Sequence, residues 1–324
     1  MKAAQRVTVL MGGASAERDV SLSSGQGVVA ALKESGYDVS SLDVTRDLAA
    51  LVNTLGEQKP DVVFNALHGR FGEDGAIQGV LEWLGLPYTH SGIRASATAM
   101  DKEASRQVFI AAGLPVAQGR VVSIAELAEA DPLPAPYVVK PLDEGSSVGV
   151  SIVRDGTNQR ARVVEEWRYG PVALVEEYIP GREITVGVLD TGDEGLRALT
   201  VTDITPNTSS GHDFYDYAAK YSAGGSQHIL PASINADDFA EACDLAVSAH
   251  KALGCAGASR SDFRYDDTAG KGRGRIVLLE VNTQPGMTPT SLLPEQAAYC
   301  GISYSALCDR LVQDALERAS ASRR

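Results

Sequence analysis

The sequence is poor in positive charge and in aromatic residues, and it has no long hydrophobic run. Its 324 residues include 29 Lys and Arg against 42 Asp and Glu, which gives a net charge of −13 at pH 7. Nucleic acids and membrane surfaces select basic faces, so this balance argues against both as partners. No apolar run approaches the length of a membrane span. An anionic ligand would need a local cluster of cations.

The four cysteines have neither metal-ligand spacing nor the pattern of a disulfide framework. They are typical of small core residues in a reducing compartment. A short apolar run at 7–11 is followed by charged residues from Glu17 onward, too soon for a signal peptide. We therefore expect a cytoplasmic protein of two or three domains with a large buried core.

The N-terminal part alternates strand and helix signals. Strand VTVL (7–10) precedes a glycine-rich turn and a helix, and DVSSLDV (38–44) and DVVFNAL (61–67) are further strands. This βαβ series predicts a parallel sheet with functional loops at the carboxyl ends of its strands. We expect an N-terminal α/β substrate-binding domain over residues 1–97.

The rest of the chain has a different order of signals. A predicted helix containing Met100, Asp101 and Lys102 leads to strand YVVK (137–140) and then to the Gly/Ser loop EGSSVG (144–149). The whole chain is thus a mixed α/β (α+β) protein.

We divide this second part into residues 98–182, a central subdomain, and residues 183–324, a C-terminal subdomain. The polar stretch 206–227 is longer than an ordinary connection, which is typical of a lid or binding loop. Its aromatic residues are interleaved with charges, which favours a closing loop over a piece of core.

Two segments near the C-terminus, 261–267 and 276–282, flank a Gly-rich turn and predict an antiparallel hairpin. Symmetric closure about Lys271 places Asp262 directly opposite Glu280. Two carboxylates across a ladder repel each other, so a positive group is expected between them.

The same register places Arg260 opposite Asn282, and Glu280 and Asn282 point to one face because strand side chains alternate. Asp262, Glu280 and Asn282 together offer the hard oxygen ligands that suit Mg²⁺. The alternative is that Arg260 simply pairs with one of the carboxylates. We favour the metal, because that pair leaves the Glu280/Asn282 arrangement unexplained.

Magnesium with few protein ligands usually completes its shell with nucleotide phosphates, so phosphate-binding groups are expected. There is no G-x-x-x-x-G-K-[ST] motif, and GGASA (12–16) is not a G-x-G-x-x-G. Lys140 ends a strand, and the loop 145–149 after it offers amides that can cap phosphates. A Gly/Ser turn alone is more often a plain hairpin, but beside this lysine it indicates a nucleotide site.

Several motifs occur in an order and spacing that resemble the ATP-grasp superfamily of carboxylate–amine ligases. They are Lys102, VVKP (138–141), EGSSVG (144–149), VEE (175–177), RSD (260–262) and EVNTQPGM (280–287). Three more narrow the resemblance to the D-alanine–D-alanine ligase family over nearly the whole chain. They are MGGASAER (11–18), LHGRFGEDG (67–75) and FYDYAAKY (214–221).

The resemblance implies a three-domain ATP-grasp architecture with an N-terminal pre-ATP-grasp domain. It implies ATP-dependent ligation of two D-alanine molecules through a D-alanyl phosphate, for peptidoglycan precursor synthesis in the cytoplasm. It also implies a homodimer, and two Mg²⁺ ions for which Mn²⁺ can substitute.

Site residues are implied by the same resemblance. Those implied to bind ATP are Lys102, Lys140, Ser147, Glu176, Glu177, Ile179 and Glu183. Those implied to bind metal are Asp262, Glu280 and Asn282. The implied catalytic residues are Glu17, Ser146, Lys220, Tyr221, Arg260 and Gly286. Those implied to contact the D-alanine substrates are His68, Ser291 and Leu292.

Among these, Glu17 is implied to receive the first substrate's ammonium and His68 to lie near its carboxylate. Arg260 and the Gly286 N–H are implied to stabilise an oxyanion, and Tyr221 implies a dipeptide product. A lone loop histidine is more often structural, but the place of His68 at the end of a strand favours function.

Ser291 has a second interpretation as the N-cap of the following helix, and both roles can hold together. Three alternatives stay open for the whole chain. They are a D-alanine–D-lactate ligase, another ATP-grasp carboxylate–amine ligase, and a nucleotide sensor without turnover. The oxyanion-stabilising arginine argues against the sensor.

Overall fold

The computed structural model describes residues 5–145, 147–190, 192, 195–206, 226–268 and 272–322. In these residues the strands form three sheets with distinct topologies. The mixed α/β class predicted from the sequence is confirmed. Within the same ranges, no helix combines the length and the apolar character needed to cross a membrane.

The first sheet is parallel, with strand order β2-β1-β3. Its strands are Arg6–Gly12 (β1), Asp38–Val44 (β2) and Val62–Asn65 (β3). The helices around it are Arg18–Glu34 (α1), Leu48–Gln58 (α2), Ala76–Trp83 (α3) and Ile93–Met100 (α4). Because the strands are parallel, the loops after β1 and β3 emerge at the same edge, as predicted.

The second sheet is antiparallel, with order β4-β7-β5-β6. Its strands are Gly119–Ser123 (β4), Tyr137–Lys140 (β5), Ser151–Val153 (β6) and Val172–Glu177 (β7). The helices in this part are Lys102–Ala111 (α5), Ile124–Glu129 (α6) and Gln159–Glu166 (α7). Strand β5 ends at Lys140, so the loop after it begins at a cation.

The third sheet is antiparallel, with order β10-β9-β8-β11-β12. Its strands are Arg182–Asp190 (β8), Leu196–Pro206 (β9), Ser226–Ile229 (β10), Ala258–Asp266 (β11) and Arg275–Asn282 (β12). The remaining described helices are Ala236–Leu253 (α8), Leu292–Tyr299 (α9) and Tyr304–Ser322 (α10). Apolar residues of β1, β3, α1 and α10 share one buried core with α9, which fixes the first sheet against the third.

The predicted continuous helix through Asp101 is wrong. Helix α4 ends at Met100 and α5 begins at Lys102, with Asp101 in an extended conformation between them. The Asp101 carboxylate accepts hydrogen bonds from the N–H groups of Glu103 and Ala104, which makes it the N-cap of α5. The break places Lys102 at the start of a helix.

The hairpin of β11 and β12 has the predicted pairs near its functional end. Arg260 lies opposite Asn282 and Asp262 opposite Glu280. Beyond them the register shifts by one, because Leu279 is an extra residue and Phe263 pairs with Leu278. Symmetric closure along the whole hairpin is therefore wrong, and Lys271 lies outside the described residues. Bulges beside functional sites commonly redirect a side chain, and this one adjoins Glu280.

Candidate active site

Two cavities meet at the functional end of this hairpin. The first has a volume of about 590 Å³ and lies between the loops of the first sheet and the segment that follows β12. Nine of the predicted site residues line it: Glu17, His68, Lys102, Arg260, Glu280, Asn282, Gly286, Ser291 and Leu292.

The second cavity, of about 360 Å³, lies between the second and third sheets. The predicted residues that line it are Lys102, Lys140, Ser147, Glu176, Glu177, Ile179, Glu183, Asp262 and Glu280. It thus contains most of the residues implied to bind ATP, whereas the first cavity contains those implied to contact amino-acid substrates.

Lys102 and Glu280 line both cavities. The Lys102 Nζ lies 3.3 Å from Glu280 Oε2 and donates a 2.6 Å hydrogen bond to the carbonyl of Glu144. Both side chains are mostly buried, at 12% and 28% exposure, so this pair is shielded from bulk water. A group transferred between the two cavities would pass beside a fixed lysine and a carboxylate.

The opposed carboxylates of the hairpin each have a cation. Arg260 donates to both oxygens of Asp262, with Nε and Nη2 each at 2.8 Å, and Thr185 donates to Oδ1 at 2.5 Å. Glu280 has Lys102. The ion pair between Arg260 and Asp262, which the sequence analysis gave as the alternative to a metal, is therefore present.

The donor set also fits a divalent ion. Asp262 and Glu280 face each other, and Asn282 lies on the face of Glu280, with its Oδ1 accepting the Gln284 N–H at 2.7 Å. A carbonyl oxygen has a second lone pair for a ligand. No group of three or more His, Cys, Asp or Glu side chains with metal-binding geometry occurs among the described residues. Two carboxylates and one amide are few enough ligands to leave sites for phosphate oxygens.

Lys140 is held by a buried carboxylate in the second cavity. Its Nζ donates to Glu176 Oε2 at 2.6 Å, and Arg106 Nε lies 3.6 Å from Glu176 Oε1. The Glu176 side chain is 9% exposed, so two cations compensate its burial. Sequence reasoning missed Arg106, because its contact with Glu176 spans 70 positions and depends on how α5 packs.

The other predicted residues of the second cavity are also anchored. Glu177 accepts hydrogen bonds from Arg275 at 2.6 Å and from the Gln118 N–H at 3.0 Å, and the Arg275 contact lowers the pKa of Glu177. Arg264 contacts Glu183 at 3.4 Å and donates to the carbonyl of Ile179 at 3.1 Å. These contacts fix the wall of the cavity around its apolar lining.

His68 is buried at the first cavity, with 6% exposure. Burial lowers the pKa of His68, nearby Arg260 acts in the same direction, and Glu17 and a hydrogen bond with the Gln284 backbone oppose it. The imidazole is therefore neutral near pH 7, and its Nε2 lies 3.5 Å from Ser24 Oγ. A neutral imidazole can donate one N–H to a substrate carboxylate.

Glu17 lies at the N-cap position of α1, against the loop that contains His68. A Cβ on Gly69, which has a φ of +68°, would be only 2.8 Å from Glu17 Oε2. The glycine is therefore needed both for its backbone conformation and for this close approach. The loop LHGRFGEDG thus packs against Glu17, and His68 and Glu17 line the same cavity.

Glu73, in the same loop, is a cavity residue that sequence reasoning missed. It lines the first cavity, and its Oε1 accepts the Gly69 N–H at 2.8 Å. Burial and, next to it, the charge of Glu17 raise the pKa of Glu73 to about 8. At pH 7 the carboxyl is therefore mostly protonated. The sequence feature that could have identified Glu73 as a site residue was its position inside the loop motif LHGRFGEDG.

A Glu73→Gln variant is expected to gain stability relative to the wild type as the pH rises. The pKa of Glu73 is higher in the folded state than in the unfolded state. The contribution of its carboxyl to the free energy of unfolding is therefore complete below about pH 4.5 and is lost as pH rises through about 8. Glutamine keeps the acceptor and has no charge to bury. The difference in unfolding free energy between variant and wild type should increase by roughly 1–3 kcal/mol from pH 5 to pH 8.5. Chemical denaturation at both values checks this, and a pH-independent difference would contradict it.

The turn after β12 places the remaining predicted residues of the first cavity. Ser291 has the N-cap position of α9, but its side chain makes no capping hydrogen bond and instead contacts Thr288 Oγ1 at 2.7 Å. A Cβ on Gly286 would be 2.9 Å from Ser291 Oγ, so a side chain there would displace the Ser291 hydroxyl. Leu292 is buried against Ile204 of β9.

Three predicted catalytic residues, Ser146, Lys220 and Tyr221, lie outside the described residues. So does most of the predicted lid, 206–227. Their assignments stay predictions from sequence.

Comparisons with known proteins agree with the resemblance. A family model described as D-ala D-ala ligase C-terminus matches residues 108–313, and one described as D-ala D-ala ligase N-terminus matches residues 49–91. Proteins named D-alanine--D-alanine ligase from Gluconobacter oxydans and Granulibacter bethesdensis are 63% and 62% identical to this chain. Each match covers 97% of this chain and at least 99% of the relative.

Solved structures are similar over the same length. A crystal structure of D-alanine--D-alanine ligase from Bacillus anthracis has a TM-score of 0.80 and 31% identity, covering 98% of this chain and 100% of that one. A second structure of that enzyme, complexed with ATP, has a TM-score of 0.77 and 30% identity, covering 99% and 100%.

Proposed function

This chain belongs to the D-alanine–D-alanine ligase family, and from that premise we propose how its two cavities divide the family's reaction. The enzyme joins two D-alanine molecules into a dipeptide for peptidoglycan synthesis and uses ATP to do so. The observation that carries our assignment is that Lys102 and Glu280 line both cavities. In this proposal ATP binds in the second cavity, D-alanine binds in the first, and the γ-phosphate lies where they meet.

In the first step, the carboxylate oxygen of one D-alanine attacks the γ-phosphorus of ATP. The bond to the bridging oxygen breaks, ADP leaves, and a D-alanyl phosphate forms. Lys140 and Lys102 neutralise phosphate charge, and their contacts with Glu176, Glu280 and the Glu144 carbonyl hold them in place beforehand. Phosphoryl transfer depends mainly on such positioning and on charge neutralisation.

Asp262, Glu280 and Asn282 would hold the divalent ions, two Mg²⁺ in our assignment, which Mn²⁺ can replace. When bound, such ions neutralise the negative charge on the transferring phosphoryl group. Arg260 and Lys102, which pair with the two carboxylates, keep them from facing each other without compensation.

The first D-alanine is held by its two charged groups. Glu17 receives the ammonium, and neutral His68 donates to the carboxylate. Because the loops after β1 and β3 place these two residues in one cavity, this cavity selects an α-amino acid by the spacing of its charges.

In the second step, the amine of another D-alanine attacks the carbonyl carbon of the acyl phosphate. The tetrahedral oxyanion that forms is stabilised by the Arg260 guanidinium and the Gly286 N–H, and phosphate then leaves as the C–O bond breaks. Ser291 and Leu292 contact this second substrate. Arg260 presents a rigid fork, and its pairing with Asp262 fixes the direction of that fork.

We also infer a homodimer, and we place the reaction in the cytoplasm because its substrate ATP is there. Light scattering of the purified protein tests the first inference, with a mass near 68 kDa expected for two chains of 34.1 kDa.

The assay that tests the function measures ADP release with Mg·ATP and D-alanine, with products identified by mass. Parallel reactions contain L-alanine, or D-alanine with D-lactate. Dipeptide from D-alanine alone is the expected product. A depsipeptide as the main product would select the D-lactate alternative, and bound ATP without turnover on D-alanine would favour a different acid or amine.

A Tyr221→Phe variant is expected to gain D-lactate use at the expense of dipeptide, because the resemblance assigns this residue to substrate choice. The ratio of depsipeptide to dipeptide, measured in mixtures of D-alanine and D-lactate, checks this. Tyr217→Phe, in the same segment, is the control. An unchanged ratio in Tyr221→Phe would remove it as the specificity residue.

A further inference from the structure

Two buried amide side chains, Asn65 and Gln284, join the loop after β3 to the turn after β12. Asn65 Nδ2 donates to Gln284 Oε1 at 2.7 Å and to the carbonyl of Gly72 at 2.9 Å. Gln284 Nε2 donates to the carbonyl of Leu67. Both side chains are at most 1% exposed, although they are 219 positions apart in the chain.

Each partner of this pair adjoins a residue of the proposed chemistry. Leu67, whose carbonyl Gln284 holds, directly precedes His68. Gly286, whose N–H is assigned to the oxyanion, lies two residues after Gln284. The pair therefore connects the group that receives the first substrate's carboxylate with the group that stabilises the oxyanion.

The chemistry of the pair requires amides. Gln284 must accept from Asn65 and donate to Leu67, and neither a carboxylate nor an apolar side chain can do both. Asn65 Oδ1 accepts the Leu67 N–H at 3.2 Å as well. Leaving any of these buried groups without a hydrogen-bond partner is unfavourable, so the pair has one strongly preferred arrangement.

We propose that the Asn65–Gln284 pair is a positioning element that sets the distance between the first-substrate site and the oxyanion site. The proposal rests on the proposed function for its chemistry, while the linkage itself rests on the contacts alone. ATP binds elsewhere, so the pair should affect D-alanine use and the rate of ligation but leave ATP affinity unchanged.

The kinetic test is Gln284→Met, which keeps the side-chain length and removes both hydrogen bonds. We expect kcat/KM for D-alanine to fall about 10- to 100-fold, as displacement of reacting groups by about 1 Å does. KM for ATP should stay within about twofold of the wild type. Asn65→Leu should have the same effect. In the double variant, kcat/KM for D-alanine should fall by much less than the product of the two single-variant losses, because both residues act through one contact.

Gln78→Met is the matched control. Gln78 is also a buried amide, and its Nε2 donates to the same Gly72 carbonyl at 3.1 Å, but that contact stays within the first part of the chain. The Gln78→Met variant should be less stable than the wild type, but its kcat/KM for D-alanine should not fall selectively. Equal kinetic losses in Gln78→Met and Gln284→Met, at equal loss of Tm, would overturn the proposal. If Gln284→Met does not fold, the Gln284→Asn variant replaces it, because its side chain is one methylene shorter. The same selective fall in kcat/KM for D-alanine is expected.

Hydrogen exchange gives a readout that does not need turnover. Peptides covering 66–75 and 283–290 should both exchange faster in Gln284→Met, whereas Gln78→Met should affect only the first. Faster exchange in 283–290 alone, or in neither peptide, would contradict the linkage. An inactive wild type with the expected exchange pattern would instead count against the proposed function and leave the linkage supported.

Discussion

Replacing Glu280 by glutamine is expected to abolish ADP-forming turnover, with a loss of at least about 10³-fold, while the fold stays intact. Glu280 is the one proposed metal ligand that lines both cavities, and its carboxylate lies 3.3 Å from Lys102. Glutamine keeps the size of the side chain but removes its charge. The variant therefore loses a charged ligand and the partner of Lys102 in one change.

The measurement is ADP release at saturating Mg·ATP and D-alanine, with Tm recorded alongside. Glu126→Gln is the control, because it breaks an ion pair of 2.6 Å with Arg120 on the exposed surface of α6 and β4. That control should keep wild-type turnover. Near-normal Mg²⁺-dependent activity in Glu280→Gln would remove Glu280 from the metal site.

Replacing Arg260 by methionine is expected to lower dipeptide formation about 10²- to 10³-fold, the usual cost of removing an oxyanion-stabilising donor. Arg260 presents two nitrogens, each 2.8 Å from the oxygens of Asp262, and it lines the first cavity. Because Arg260 does not line the ATP cavity, KM for ATP should change little. Rapid-quench measurement of dipeptide and ADP in single turnovers checks both expectations.

Arg264→Met gives the contrasting result. Arg264 lies on the same strand four residues further, and it holds the carbonyls of Gly181 and Ile179 at 2.6 and 3.1 Å in the wall of the second cavity. That variant should raise KM for ATP and keep most of kcat. A similar loss of kcat in both variants would mean that Arg260 acts only by supporting the sheet.

The sequence predicted the hairpin pairing correctly because strand geometry leaves little choice there. A charged residue in an apolar strand must have a partner, and alternation puts Glu280 and Asn282 on one face. The pairs Arg260–Asn282 and Asp262–Glu280 followed from a single assumed turn. The bulge at Leu279 did not follow, because nothing in the composition of IVLLEVN separates a bulged residue from a regular one.

Other features depend on contacts between distant segments. The break at Asp101 did not follow from the sequence, because helix-forming residues lie on both sides of it and only the structure shows Asp101 as the N-cap of α5. The ion pair of Lys140 with Glu176, and the amide pair of Asn65 with Gln284, need the packed structure. The sequence places Glu73 only within a loop motif, because its raised pKa comes from burial and from the charge of Glu17 in the folded protein.

The central claim is that phosphoryl transfer occurs at Lys102 and Glu280, where the two cavities meet. Anomalous diffraction from crystals grown with Mn²⁺, ADP and a phosphorylated phosphinate analogue of the D-alanyl intermediate tests it most directly. The account predicts manganese bound by Asp262, Glu280 and Asn282, with the phosphoryl group of the analogue beside Lys102. Manganese bound elsewhere, with ADP away from Lys102, would contradict it.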